Sequence, residues 1–149
     1  MALDERQHVI FRLGAEDFGV QINKVKEIIV FRETTNIPGS GEYIEGVINL
    51  RGQVIPIFNL RRKFGFPTDE QSRHTRIVVV EISGNTVGIV VDGVSEVLVI
   101  PENVTEKPSS IVKSEIDSDY ISGVAKLEEK LVIILDLEKV LNTGVAEAV

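Results

Sequence analysis

The sequence YIEGVINLRGQVIPIFNLRRKF, residues 43–64, recurs in altered form as YISGVAKLEEKLVIILDLEKVL, residues 120–141. The two segments align without a gap, and the residues that they share are mostly apolar or glycine. A second pair of similar segments lies upstream in the same order: IFRLGAEDFGVQINKVKEIIVFRE, residues 10–33, matches VVEISGNTVGIVVDGVSEVLVIPE, residues 79–102. Two matches in the same order indicate a tandem duplication of one small unit.

Composition and patterning predict that this unit is built from strands. Val and Ile together supply 40 of the 149 residues, whereas Ala supplies 5. Side chains that branch at Cβ pack well on a pleated sheet, while helical proteins favour Leu and Ala. Apolar runs separated by turn residues indicate about five strands per unit, and each unit ends in a short helix, at Leu60–Phe64 and Leu137–Asn142. We therefore predict an all-β protein, mostly β with short helices.

The size of the repeat predicts how the two units are arranged. About five strands and one helical turn describe a small barrel of the SH3-like kind, and such a unit has a marginal core when it stands alone. We expect two SH3-like five-stranded barrels, packed on a shared hydrophobic interface within one domain at residues 1–149. Subdomain one is placed at residues 8–66, the linker at 67–75 and subdomain two at 76–144, and strand exchange between the subdomains is left open.

Charge and residue inventory exclude several classes of function. The net charge is −7 with a pI near 4.9, which disfavours binding to nucleic acid, and the absence of Cys removes thiol chemistry and Cys-based zinc sites. His8 and His74 lack the spacing of a metal pair and are interpreted as surface residues, and Asp136 aligns with Asn59, so no symmetric carboxylate pair is present. No apolar run is long enough to span a membrane. We predict a cytoplasmic protein without catalytic activity, cofactor or metal.

The positions that the two repeats do not share are where function can diverge. Arg51–Gly52 at the tip of one predicted hairpin corresponds to Glu128–Glu129 in the other. Glu27 and Glu96 are equivalent, so repeat one offers a Glu27–Arg51 ion pair, whereas repeat two would bring acids together. The basic run at residues 61–63 is interpreted as the solvated end of a helix, where cations favour the helix dipole.

Three segments resemble the CheW family of bacterial chemotaxis coupling proteins. They are GVINLRGQVIPIFNLR at residues 46–61, VGIVVDGVSEVL at 87–98 and FGVQINKVKEII at 18–29, and the resemblance runs from about His8 to Asn142. It implies two SH3-like barrels and an adaptor that joins the histidine kinase CheA to the cytoplasmic tips of methyl-accepting chemoreceptors. The regulatory domain of that kinase has the same fold, which implies a monomer in isolation that alternates with the kinase in rings and reaches the inner face of the membrane through receptors.

The same resemblance assigns candidate site residues by motif. Receptor and kinase coupling is assigned to Glu27, Arg51, Val25 and Gly46. We expect Glu27 to orient Arg51 beside a groove in which a receptor helix lies, lined by Val25 together with Ile28, Val94, Val97 and Leu98. The segment Val104–Ser110 reads VTEKPSS and departs from relatives with a basic and an aromatic residue there, so no kinase contact is assigned to it.

Alternatives to a standalone coupler remain at this stage. The chain could be the regulatory domain of a chemotaxis kinase or a coupler cut from a fusion with a receiver domain. The start at Met1 and the absence of an ATP site or a phosphoacceptor segment favour the coupler. A small duplicated-barrel enzyme is a remote alternative, which a pocket with convergent titratable groups would support.

Overall fold

The computed structural model describes residues 7–39, 41, 43–67, 71–101, 104–106, 120–128 and 130–141. Parts of three predicted features lie outside these residues. They are the linker at 68–70, the segment at 107–110 and the end of the second helix from residue 142 onward.

Among the described residues, the first repeat has five strands and the second has six, against about five predicted for each, and a short helix follows the last strand of each repeat as predicted. In the first repeat they are β1 (Gln7–Leu13), β2 (Glu16–Gln21), β3 (Val25–Val30), β4 (Ile44–Leu50), β5 (Gln53–Asn59) and helix α1 (Leu60–Phe64), with a 3-10 turn at Ile22–Lys24. In the second repeat they are β6 (Arg76–Ile82), β7 (Asn85–Val91), β8 (Gly93–Val99), β9 (Thr105–Glu106), β10 (Ile121–Leu127), β11 (Lys130–Leu135) and helix α2 (137–141). The two-residue β9 is the one described strand that the sequence pattern did not predict.

Each sheet combines strands from both repeats. Sheet I has the order β8-β1-β2-β11-β10-β9, and sheet II has the order β3-β6-β7-β5-β4. Replacing every strand of sheet II by its repeat equivalent gives the order of sheet I without β9. The first hairpin of each repeat is therefore exchanged into the sheet of the other, through the parallel pairs β2–β11 and β7–β5. The strand exchange left open by the sequence is present, and the boundaries 8–66 and 76–144 delimit sequence repeats rather than sheets.

Both sheets close on themselves. In a flat sheet β8 and β9 would lie about 24 Å apart, at about 4.8 Å per strand, whereas the six Cα–Cα steps from Val99 to Thr105 reach at most about 22 Å. Sheet I must therefore curl. Sheet II closes in the same way, since Thr35, shortly after β3, exchanges backbone hydrogen bonds of 2.8 and 2.9 Å with Val47 in β4. Each sheet thus forms a small barrel, and the two are called barrel I and barrel II below.

The apolar side chains form three clusters that match this architecture. One cluster fills barrel II, with Ile55 and Ile77 among its fully buried members, and another fills barrel I around Ile10 and Val132. The third and largest lies between the barrels and includes Phe18, Phe58, Phe64 and residues of both helices. The predicted all-β fold with two subdomains packed on a shared hydrophobic interface is confirmed.

Aromatic stacking marks the centre of the shared interface. The ring of Phe18 in β2 stacks on Phe11 at a centroid distance of 5.9 Å and on Phe64 of α1 at 5.7 Å. Phe66 packs obliquely against Phe18 at 6.4 Å. Because β2 belongs to barrel I and α1 follows the last strand of the first repeat in barrel II, this stack joins the two barrels.

The interpretation of His8 as a surface residue was wrong. His8 is 6% exposed. Its place in β1, which lies inside sheet I between β2 and β8, explains the burial. His74 is exposed, as predicted.

Candidate functional site

The predicted Glu27–Arg51 ion pair is present. Arg51 lies at the tip of the β4–β5 hairpin, where Arg51 and Gly52 both have positive φ angles, of 52° and 87°. Its Nη2 donates to Oε2 of Glu27 on β3. The side chain of Arg51 is 68% exposed and that of Glu27 is 31% exposed. The pair therefore bridges β3 and the β4–β5 hairpin at one end of barrel II, which is called the mouth of barrel II below. Most of the guanidinium is exposed to solvent.

Two further residues tie the hairpin that carries Arg51, and the sequence reasoning missed both. The side-chain oxygen of Asn49 accepts from the backbone N–H of Gly52 at 2.8 Å, and Arg32 donates to the carbonyl of Asn49 at 3.1 Å. Asparagine two residues before an Arg-Gly tip is a turn signal that could have been recognised. The contact from Arg32, which is distant along the chain, leaves no local signal.

Bulges decide which side chains of β3 and β8 share a face. The register of β3 shifts between Val25 and Glu27, so Val25 and Ile28 face the same side although three positions separate them. The pairing of β8 with β1 shifts at the equivalent place and likewise brings Val94 and Val97 to one face. The first residue of each pair packs on the shared core, and the second is exposed.

Val25 and Ile28 on β3 and Val94 and Val97 on β8 thus each present an apolar pair, and their assignment to one receptor groove stays a prediction. Val25 and Val94 lie at the border of the shared interface, and Ile28 (41% exposed) and Val97 (48% exposed) continue it outward. Leu98 departs from this arrangement. It packs against the cluster inside barrel I, because neighbouring residues of a strand point to opposite faces. The structure therefore separates Leu98 from the face that carries Val97.

Gly46 lies within β4, five positions before Arg51 at the hairpin tip. It is buried in β4, and a Cβ atom at this position would lie 2.7 Å from Thr34 Oγ1 and 2.7 Å from the carbonyl oxygen of Thr35. Gly123 is its repeat equivalent and is crowded in the same way by Thr105. The close approach explains why both repeats carry glycine here.

The equivalent mouth of barrel I has different chemistry. Glu96 pairs there with Lys130 at 3.0 Å, so the expected meeting of acids is neutralised by a lysine that the sequence reasoning did not consider. Glu96, Glu128 and Lys130 line an open recess of about 570 Å³ with the apolar side chains of Leu98 and Leu127. Glu129 lies outside the described residues. The mouths of the two barrels therefore carry different charged residues on a similar backbone.

The prediction that the basic run of α1 is a solvated helix end was wrong for Arg61, while Arg62 is exposed as expected. Arg61 is 13% exposed in its side chain and pairs with Asp92, whose Oδ2 also accepts from the N–H of Gly14 at 2.7 Å. Arg62 pairs with a glutamate of β4 at 3.2 Å. Lys63 lies over the rings of the repeat-equivalent tyrosines 43 and 120, at 4.5 and 5.0 Å. These contacts hold α1 against both barrels, because Tyr43 precedes β4 of barrel II and Tyr120 precedes β10 of barrel I.

Two further findings concern membrane-spanning helices and metal sites. Within the described part of the chain, no helix is long and apolar enough to cross a membrane. The same residues contain no group of three or more His, Asp or Glu side chains arranged to hold a metal ion.

Comparisons with known proteins place these features in a family context. A family model described as a CheW-like domain matches residues 7–145. The chain is 37% identical over 139 residues to the chemotaxis protein CheW of Klebsiella aerogenes, which covers 93% of this chain and 82% of that protein. It is 32% identical over 145 residues to the probable chemotaxis protein CheW of Rhizobium etli, covering 97% and 92%. The crystal structure of the scaffolding protein TtCheW from Thermoanaerobacter tengcongensis matches with a TM-score of 0.84 at 37% identity, covering 94% and 90% of the two chains.

Proposed function

The chain belongs to the CheW family of chemotaxis coupling scaffolds, and from this premise we propose that it joins methyl-accepting chemoreceptors to the histidine kinase CheA. The observation that carries the proposal is the match to the family model over residues 7–145, which includes both barrels and the shared interface. Relatives named CheW are matched over 82% and 92% of their own lengths, which favours a coupler over a domain cut from a kinase or from a receiver fusion.

The architecture suits a protein that holds two different partners. Two barrels with the same frame and unequal mouths give two similar but non-identical faces. Contacts through unequal faces are heterologous, and heterologous contacts can close into rings when the rotation between subunits permits. We propose a non-catalytic scaffold that is a monomer in isolation, alternates with the kinase regulatory domain in rings, and is held by receptors at the cytoplasmic face of the membrane.

The receptor contact is proposed at the border between the barrels. An amphipathic receptor helix lays its apolar face against Val25, Ile28, Val94 and Val97, because an apolar groove supplies most of the binding area for such a helix. Arg51, oriented by Glu27, contacts an acidic or carbonyl group at the rim. A rim charge mainly determines orientation and partner choice.

Exposure of the ion pair favours a role in binding over a role in folding. Surface ion pairs contribute at most about 1 kcal/mol to stability, since water and salt screen them. With Arg51 68% exposed, reversing its charge leaves the free energy of unfolding nearly unchanged. The same reversal sets a carboxylate beside Glu27 and removes the guanidinium from the partner, so binding should weaken at least several-fold.

A co-sedimentation and kinase assay tests the proposal. Membranes that carry a chemoreceptor are mixed with the cognate kinase, with and without this protein. Pelleting of the kinase and its autophosphorylation should rise only when the protein is present, and Arg51→Glu should reduce both. The matched control is Lys130→Glu, which reverses the exposed pair with Glu96 at the other mouth and should retain receptor pelleting.

Two results would count against the proposal in different ways. If the wild-type chain pellets with neither partner and leaves autophosphorylation unchanged, coupling is not its function. If coupling occurs and the folded Arg51→Glu variant retains it in full, the scaffold assignment stands and the rim contact is elsewhere.

A further inference from the structure

The tip of the β4–β5 hairpin contains a device that positions Arg51. We infer that Asn49 and Arg32 are positioning residues for Arg51, an inference that rests on the proposed coupling role of this arginine. Arg51 adopts a φ of 52°, a left-handed conformation that is unfavourable for a residue with a Cβ atom. The Glu27–Arg51 pair is too exposed to enforce that conformation alone.

The first part of the device is a side-chain bond that closes the turn. The Oδ1 atom of Asn49 accepts from the backbone N–H of Gly52 at 2.8 Å. This bond encloses Arg51, because it joins the residues on either side of the tip. Asparagine is suited to the task, since its short amide reaches a backbone group a few residues further on. The backbone of Arg51 is thereby held while its side chain extends into solvent.

The second part links the hairpin to the strand that carries Glu27. Arg32, which follows β3, donates from Nη1 to the carbonyl oxygen of Asn49 at 3.1 Å. Glu27 lies on β3 itself. The two members of the ion pair are therefore connected twice, once through their own side chains and once through Arg32 and Asn49. The second connection limits how far the mouth of barrel II can open.

The second repeat shares a positive φ at its tip, of 26° at Glu128, but its described residues lack both side-chain contacts of the device. Asn49 corresponds to Lys126, which bonds Glu106 at 3.3 Å instead of its own turn, and Arg32 corresponds to Pro101, which has no side-chain donor. The tip residue there is Glu128 rather than arginine. Both repeats form a β-hairpin at this place, so the turn itself does not require Asn49. The device occurs only where an arginine must be presented, which links it to the function of Arg51.

The test compares Asn49→Ala with Asn49→Asp, which keeps a side-chain oxygen acceptor, and with the repeat-equivalent control Lys126→Ala. The first measurement is the NMR order parameter of the Arg51 Nε–H group in the free protein. It should fall in Asn49→Ala and stay near the wild-type value in the other two variants. An unchanged order parameter in Asn49→Ala overturns the inference, whatever the binding assay gives.

The second measurement is a double-mutant cycle on receptor binding. Losing one turn-closing hydrogen bond should weaken receptor co-sedimentation by about two- to tenfold in Asn49→Ala. On an Arg51→Ala background the same change should cause no further loss, because the device acts through that arginine. An equal loss on both backgrounds overturns the positioning role. If Arg51→Ala alone leaves binding unchanged, the proposed rim contact fails, and the order parameter still decides whether Asn49 orders the side chain.

Discussion

Replacement of Gly46 by alanine should destabilise the protein by about 2–4 kcal/mol. The new Cβ would lie 2.7 Å from both Thr34 Oγ1 and the carbonyl oxygen of Thr35. The carbonyl cannot retreat freely, because Thr35 is held by two backbone hydrogen bonds to Val47. Overpacking of this kind costs about 1–3 kcal/mol, and weakening the bridge that closes barrel II adds about 1 kcal/mol. Urea unfolding at 25 °C measures the difference in the free energy of unfolding.

A second glycine measures backbone strain without the steric clash, because Gly46 itself also has a positive φ, of 157°. Gly52 has a φ of 87°, yet a Cβ there would meet nothing within 4 Å. Gly52→Ala should therefore cost only the strain of a left-handed alanine, about 1–2 kcal/mol. Adding Thr34→Ala to Gly46→Ala should recover only part of the loss, since the Thr35 carbonyl remains in place. Equal costs for the two glycine variants would refute the steric account.

The same experiment decides how Gly46 affects coupling. The family resemblance assigns this glycine to coupling, whereas the structure buries it within β4. We expect any loss of receptor binding in Gly46→Ala to follow the distortion or unfolding of barrel II. A variant that unfolds at the wild-type urea concentration and still loses receptor binding would show that Gly46 itself contacts the partner.

Three further predictions concern the shared interface, all measured by urea unfolding. Phe18→Ala should cost about 3–5 kcal/mol, because it empties the centre of the aromatic stack; a cost below about 1.5 kcal/mol would mean that the stack is not central to stability. Arg61→Ala should cost about 1–3 kcal/mol, since it leaves half-buried Asp92 without its cation, while Glu138→Ala in an exposed pair should cost less than about 1 kcal/mol; equal costs would contradict this ranking. Lys63→Met should cost about 0.5–1 kcal/mol by removing the cation from its two tyrosine rings, and a stabilised variant would show that the rings gain nothing from the charge.

Local patterns predicted the elements of the fold but not their exchange. Alternation and turn residues are properties of neighbouring residues, so the bounds of α1 at Leu60–Phe64 could be read from Gly65 and Pro67, which follow the helix. The pairing of β2 with β11 could not be read in this way. Because the repeats share their apolar pattern, the first hairpin fits either barrel equally well in sequence. The chain passes from one barrel to the other at the short connection Ile22–Lys24, and composition does not encode this crossing.

The alignment of the two repeats predicted the Glu27–Arg51 ion pair. The burial of Arg61 and of Leu98 could not be predicted from it. Glu27 and Arg51 stood out because Glu27 is matched by Glu96, whereas Arg51 is matched by Glu128, which breaks the symmetry of charge. Arg61 was misread as solvated because a basic helix end normally faces water, whereas here it meets Asp92 from the second repeat. Leu98 was placed in the groove because a bulge in β8 cannot be seen in the sequence, and that bulge determines which apolar residues share a face.

Equivalent positions of the two repeats carry opposite charges, and this reversal gives two barrels of the same backbone arrangement different charged surfaces. Helix α1 contributes a cation, Arg61, to an acid of the second repeat, while α2 contributes an acid, Glu138, to a lysine of the first at 3.3 Å. Each barrel needs strands from both repeats, so a substitution in the shared core changes both barrels together. Substitutions at the hairpin tips change one mouth alone, because Arg51 and Glu128 project from turns that the core does not touch. Partner specificity can therefore diverge at the tips while the reciprocal exchange preserves the two barrels, so under the proposed coupling role Arg51 is the first position at which partner preference should be altered.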